Sequence, residues 1–310
     1  MAAELRLELQ QYRVPSLRTG LDVGVYLVRS QVIHLSAFVP TRKAVRTVLG
    51  VLGRARQRFP EIDLYGFHVM PSSLRLLIGA PSGIYKAAFL AWTLREISRR
   101  INKLLGLSGP LLARNECQQV VSAEHALAQM KDLLAPATAA LLVRHPEEDP
   151  CASSTPWLLR GERLVGAFQY GGGPEVEVEV PLDRLPGCEA LSPTAYRVLL
   201  RAMADDVARA HRRRRKKAGI RLRDPKSLRL LDPMAPSMPP KRAPRPKVHG
   251  TQAQEEEWRR AHDVARAAYT QATKAHWRRL EDPTAPMVPW PAGTVPPCFA
   301  PPSWSRAAAG

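Results

Sequence analysis

Asp63-Leu-Tyr-Gly-Phe-His-Val-Met-Pro-Ser-Ser-Leu-Arg-Leu-Leu-Ile-Gly79 is the stretch that decides the fold. Apolar residues alternate on both sides of a Pro-Ser-Ser break, which predicts two strands joined by a tight turn at Met70-Pro71-Ser72. In the second strand Ser73, Arg75 and Leu77 share one face, while Leu74, Leu76 and Ile78 share the other. An arginine among leucines has two readings. Either the strand lies at an edge and Arg75 reaches solvent, or the arginine is held at a site.

Working outward, residues 23–35 are rich in Val, Ile, Leu and Tyr and predict a preceding strand, with a bend at Arg29-Ser30. A helix follows, capped by Thr41, with Val45, Val48, Leu49 and Leu52 at helical spacing, and it ends at Pro60. After the Pro81-Ser82-Gly83 turn, Leu90, Leu94, Ile97, Ile101 and Leu104 give the apolar stripe of a long helix over residues 85–105. Its other face carries Arg95, Arg99, Arg100 and Lys103, a basic surface that suits either solvent or a polyanion. Residues 116–122 predict a fourth strand, and residues 123–134 a third helix stopped by Pro136. The order is βαββαβα. It predicts an α+β class, a ferredoxin-like antiparallel sheet over residues 20–145 with its helices on one face and one extra helix.

Residues 146–190 change character, with acidic and proline-rich turns, Gly171-Gly-Gly-Pro174 and an alternating segment at 175–180 that reads as an isolated hairpin strand. They read as a linker and peripheral segment. Residues 191–310 form a basic helical and proline-rich extension. Ser192-Pro193 opens a helix that ends in Arg212, Arg213, Arg214, Arg215, Lys216 and Lys217. The prolines of residues 234–248 predict an extended segment, a further helix is expected over 252–280, and the last thirty residues read as loosely docked or disordered.

The chain has a formal net charge of +18, and residues 201–250, with 16 Lys and Arg against 4 Asp and Glu, supply 12 of it. Charge this concentrated favours a polyanionic partner, nucleic acid above all, without choosing between DNA and RNA. No apolar run is long enough to span a bilayer, and Glu4 and Glu8 stand where a signal peptide would be basic, so a cytoplasmic protein with no membrane partner is expected. Cys117, Cys151, Cys188 and Cys298 form no Cys-x-x-Cys pair, and no two histidines are spaced as local metal-ligand pairs are.

The run Tyr65-Gly-Phe-His-Val-Met-Pro-Ser-Ser-Leu-Arg-Leu-Leu-Ile78, with Arg99-Arg-Ile-Asn-Lys-Leu104, Gly109-Pro-Leu, Leu133-Leu-Ala-Pro-Ala137 and Leu158-Leu-Arg-Gly-Glu-Arg-Leu-Val-Gly166, resembles the REP-associated tyrosine transposases. These are a branch of the HUH single-strand transposases of insertion sequences. The resemblance covers residues 20–170 and continues more loosely through Ser192-Pro-Thr-Ala-Tyr196, Arg242-Ala-Pro-Arg-Pro246 and Pro291-Ala-Gly-Thr-Val-Pro-Pro297. It implies tyrosine attack on a phosphodiester of single-stranded DNA near a hairpin, assisted by a divalent metal such as magnesium held by a His-x-His pair on one strand face.

At the matching positions this chain has Ser73 and Arg75 for the two histidines, Lys131 for the tyrosine, and Ala135 for the polar residue one helical turn later. Serine is a poor substitute for imidazole, arginine repels a divalent cation, alanine has no ligand atom and lysine forms no phosphotyrosine. None of Tyr12, Tyr26, Tyr65, Tyr85 or Tyr170 lies on the third helix. The expectation is therefore a DNA-binding protein of this family, for hairpin or single-stranded DNA, with no cofactor of its own and no intact catalytic residue. Arg75 and Lys131 would face one small volume and hold a phosphate, or Arg75 would pair with an acid such as Asp132. A working nuclease with rearranged groups and an RNA-binding or scaffolding protein stand as alternatives. His68, alone on its strand, reads as a packed, hydrogen-bonded residue.

Overall fold

The computed structural model describes residues 24–33, 37–113, 115–224, 227–228, 232 and 248–291. The proline-interrupted run up to residue 247, the tail from residue 292 and Cys298 lie outside them. In chain order the main elements are β1 (Gly24–Gln31), α1 (Arg42–Arg58), β2 (Asp63–Met70), β3 (Ser73–Ala80), α2 (Gly83–Leu105), β4 (Glu116–Val120), α3 (Ala123–Leu134) and α4 (Pro136–Ala139). There follow β5 (Ala152–Ser153), β6 (Val165–Gln169), β7 (Glu175–Glu179), α5 (Pro193–Ala218), β8 (Val248–His249) and α6 (Gln252–Glu281).

Local chemistry sets the helix ends. Thr41, Ser82, Ser122 and Ser192 each accept a hydrogen bond from the backbone N–H three residues on, and Thr251 with Gln254 forms a reciprocal capping box. Each such cap stabilises its helix by about 1 kcal/mol. Gly106 and Gly219 close α2 and α5 in the left-handed conformation, at φ 65° in both cases. Pro136 does not simply stop α3; it occupies the first turn of α4, where a missing N–H costs nothing. Ser122, expected in a strand, is the cap of α3. The expected bend at Arg29-Ser30 is absent, since β1 runs through to Gln31.

The main sheet has six strands in the order β5-β2-β3-β1-β4-β8. The β2-β3, β3-β1 and β1-β4 pairs are antiparallel, but β8 joins β4 in parallel, so the sheet is mixed rather than purely antiparallel. β3 is central, which removes the edge-strand reading of Arg75.

Helices cover both faces, against the expectation of one. Leu74, Leu76 and Ile78 pack with Val48, Leu52 and Ala55 of α1 and Phe89, Ile97 and Ile101 of α2. Leu27, Leu77 and Val120 on the opposite face pack with Ala126, Met130 and Leu133 of α3 and Tyr196, Leu200 and Ala204 of α5. The continuous apolar run Leu76-Leu-Ile78 carries the reason, because consecutive buried residues require a cover on each side of the sheet.

Residues 146–190 are built into this body. β5 pairs with β2 through Ala152-Ser153, and β7, expected as a strand of an isolated hairpin, pairs with β6 in a hairpin that packs on α1. α1 can approach so closely because Gly50, Gly53 and Gly166 carry no side chain: a Cβ on Gly166 would sit 1.9 Å from the Gly50 nitrogen. α6 is tied to the sheet by the Trp258 Nε1–H bond to Gln119 Oε1, 2.9 Å. Among the described residues no helix is long and apolar enough to cross a membrane. Cys117, Cys151 and Cys188 are free thiols.

Candidate functional site

Residues directly opposite one another in antiparallel strands point to the same face. The registers Glu116↔Arg29, Arg29↔Arg75, Arg75↔His68 and His68↔Ser153 therefore lay one polar row across four strand pairings, on the face that α3 and α5 cover. Ser73 belongs to this face one step along β3, opposite Gln31.

Two guanidinium groups occupy the middle of the row. Arg29 and Arg75 are both half-buried. Among the described residues neither has a hydrogen-bond or ion-pair partner, and Arg29 Nε is buried without one. Burial pushes the Arg75 pKa below the ordinary arginine value, Arg29 pushes it further down, and Asp132 of α3 opposes both. Like charges directly opposite on a sheet repel, so this is a place of unspent positive field.

The surroundings come from three further elements. His249 of β8 lies 2.6 Å through Nε2 from Gln118 Oε1 of β4. Burial holds its pKa below the usual histidine value, followed by the fields of Arg29 and His125, with Glu255 and Asp132 acting the other way. His125 and Asp132 lie on α3, with Gln129 between them on that face, buried and with Oε1 unpartnered.

At the row's far end His68 Nε2 lies 2.7 Å from Asp149 Oδ2, with both side chains almost fully buried. His68 is thus packed as expected, but the expected hydrogen bond is not formed: the contact with Asp149 is close without hydrogen-bond geometry at either ring nitrogen, and Asp149 Oδ1 accepts from the Cys151 N–H at 2.9 Å.

Lys131 is not part of this cluster. Its Nζ donates to Asp206 Oδ2 of α5 at 3.1 Å, so the cation beside Arg75 is Arg29 and the expected Arg75–Lys131 clamp is not formed. Ala135 sits at the α3–α4 junction with no polar side-chain atom to offer.

The basic face of α2 divides. Arg95 and Lys103 are exposed. Arg99 pairs with Glu96 at 2.8 Å. Arg100 is spent internally: it bonds Glu96 at 3.3 Å and the Gln169 carbonyl at 2.8 Å, and lies 3.7 Å over the Phe168 ring, which ties the hairpin to α2. In α5, Arg212, Arg213, Arg214, Lys216 and Lys217 are exposed and Arg215 is half-buried.

Part of this chain is similar to a solved REP-associated tyrosine transposase bound to a REP hairpin. The likeness is distant: 14% identity and a TM-score of 0.37, over 46% of this chain and 81% of that one. No family model matches the chain. None of the curated proteins matches it either.

The groups present do not fit a divalent metal. Ser73 and the two arginines offer no imidazole or carboxylate at the centre of the row, and the nearby His68 is committed to Asp149. Among the described residues no group of three or more His, Cys, Asp or Glu side chains is placed to hold a metal ion.

Arg29 and His249 escaped the reading of the sequence. Arg29 had a usable signal, since it lies two residues from Leu27 and so shares its face. His249 had none, because it reaches the site from beyond a long proline-rich segment.

Proposed function

We propose that this chain binds a nucleic-acid strand, seating one backbone phosphate between Arg29 and Arg75, and does not cleave it. The observation that carries this reading is the half-buried pair of opposed guanidinium groups, neither of which makes a hydrogen bond or close ion pair among the described residues, with the field of Asp132 reaching Arg75 from α3. A phosphate diester relieves their repulsion and accepts charge-assisted hydrogen bonds from both. The antiparallel run β2-β3-β1-β4 supports reading the mixed sheet as ferredoxin-like. Together with the motifs quoted above it supports reading the chain as a member of the REP-associated tyrosine transposase family with a degenerate site, and hairpin or single-stranded DNA as its ligand.

The tyrosines on this face favour binding over cleavage. Tyr65 is buried and donates to Asp63 Oδ2 at 3.2 Å. Tyr196 is buried under α3, accepts from the Leu185 N–H, and has its pKa pushed up to about 12, chiefly by burial. Neither is available as a nucleophile.

Fluorescence anisotropy with a labelled DNA hairpin bearing a single-stranded overhang, in EDTA, tests the proposal. Arg29→Ala and Arg75→Ala are each expected to weaken binding about 10-fold. Each should also flatten the log–log salt dependence by about 0.7 per lost contact on a single strand. Unchanged affinity in both variants would overturn the site. A covalent protein–DNA product in magnesium would overturn the absence of cleavage, and preference for a matched RNA hairpin would move the ligand to RNA.

His249 gives an independent readout. In the free protein its pKa is held down by burial and by Arg29, with Glu255, His125 and Asp132 as its other charged or titratable neighbours. A phosphate on Arg29 removes part of that field, so the His249 pKa rises on binding. By linkage, affinity then increases as pH falls from the bound-state pKa to the free-state pKa. NMR titration of the imidazole with and without saturating hairpin measures this, and an unmoved pKa would place the phosphate elsewhere.

A further inference from the structure

A second cationic site lies away from the sheet. α5 and the loop following α4 enclose a cleft of about 560 Å³, within the range of roughly 300–1,000 Å³ typical of small-ligand sites. Arg212 and Arg215, one helical turn apart, line one wall and Arg144 lines the other, over a floor that includes Val143 and Leu222. Among the described residues none of the three guanidinium groups has a partner.

Of the other charges of the cleft, Arg209 is engaged, pairing with Asp206, which also takes Lys131, while the carboxylate of Asp205 lies 3.3 Å from His145 Nε2 without a hydrogen bond to it. His211 lines the same wall, with its pKa lowered by burial and by Arg214, so it adds little positive charge near neutral pH.

The loop is held for this shape. Leu141 is the single non-glycine residue at positive φ, 63°, among the described residues. This conformation costs a branched side chain about 1–2 kcal/mol. It is fixed by the Leu141 N–H to Thr138 carbonyl and Leu142 N–H to Ala137 carbonyl bonds, and the Leu141 carbonyl accepts from Arg223 N–H at 2.8 Å, which draws the chain beyond α5 back over the cleft.

We propose that this cleft is a discrete phosphate-binding site, with Arg144, Arg212 and Arg215 as its ligands, and that it holds a backbone phosphate of the same nucleic acid at a second point. Only the identity of the ligand rests on the function proposed above. The run Arg212–Lys217 is then not a uniform basic tail: Arg212 and Arg215 point into the site, and Arg213, Arg214, Lys216 and Lys217 supply general charge.

That division gives the test, because two double variants remove equal charge from one helix. Arg212→Ala with Arg215→Ala is expected to weaken binding of the labelled hairpin at least about 10-fold, and Arg213→Ala with Arg214→Ala no more than about 3-fold. Arg144→Ala, off the helix, should follow the first. Equal losses in the two double variants would overturn a discrete site in favour of diffuse charge. Alanine is a good helix former, and circular dichroism verifies that α5 survives.

Calorimetry with inorganic pyrophosphate separates the sources. Pyrophosphate binding that only the Arg212/Arg215 variant loses, with hairpin affinity intact, would keep the site and assign it to a free phosphate compound. Hairpin binding that depends on the cleft but not on Arg29 or Arg75 would retain this site and reject the one on the sheet.

Discussion

Asp149→Ala will lower folding stability by about 3 kcal/mol or more, as measured by denaturant unfolding. Breaking a buried ionisable pair leaves the surviving partner desolvated and unmatched, a change that costs about 3–5 kcal/mol. The His68 and Asp149 side chains are 1% and 2% exposed, so water cannot replace the lost contact. The variant also removes the acceptor of the Cys151 N–H, at the entry to β5. His68 stands opposite Arg75 on one side and Ser153 on the other, so the pair braces the strand that carries the candidate site. A loss below about 1 kcal/mol would show that the pair contributes no more than a surface contact.

Gly166→Ala should be comparably damaging, by about 3 kcal/mol or more, for a different reason. The new Cβ would lie 1.9 Å from the Gly50 nitrogen and 2.3 Å from the Leu49 carbonyl carbon. Backbone atoms cannot rotate away as side chains can, so α1 and the β6–β7 hairpin must separate. Separation also loosens the Trp92–Phe168 stack and the Arg100 contact over the same ring. Gly172→Ala is the control: it sits in the hairpin turn with nothing within 4 Å of the added atom and should change stability by less than about 0.5 kcal/mol. Proteolysis within residues 170–174 should accelerate in the first variant alone, and equal rates would mean that the hairpin does not depend on the close approach.

The sequence was informative where a local rule governs. Alternation placed β2 and β3, stripes and caps placed α1, α2, α3, α5 and α6, and Pro71-Ser72 placed the turn between the two central strands. It was silent where distant parts of the chain meet. That β3 lies at the centre of the sheet depends on β1 pairing with it from across α1. That Arg75 is opposed by Arg29 is a matter of register, and Lys131 belongs to Asp206, 75 residues downstream, because α5 packs on α3. Gly50-x-x-Gly53 was a legible signal of close backbone approach on one helix face, although nothing local could name β6 and β7 as the partner.

The outer side of β2 is closed by residues from the 146–190 segment. Leu64 exchanges both backbone bonds with Asp183, through its carboxylate and its N–H, and Phe67 does the same with Ser154, through its hydroxyl and its N–H. β5 takes up the rest of that border at His68 and Val69. The outward backbone groups of Leu64 and Phe67, and the border at His68 and Val69, are thereby occupied by isolated residues and a two-residue strand, too short to serve as a template themselves. The sheet has no open selvedge at β2 on which a second chain could be woven, so self-association by strand addition is blocked there by the same contacts that hold residues 146–190 in place.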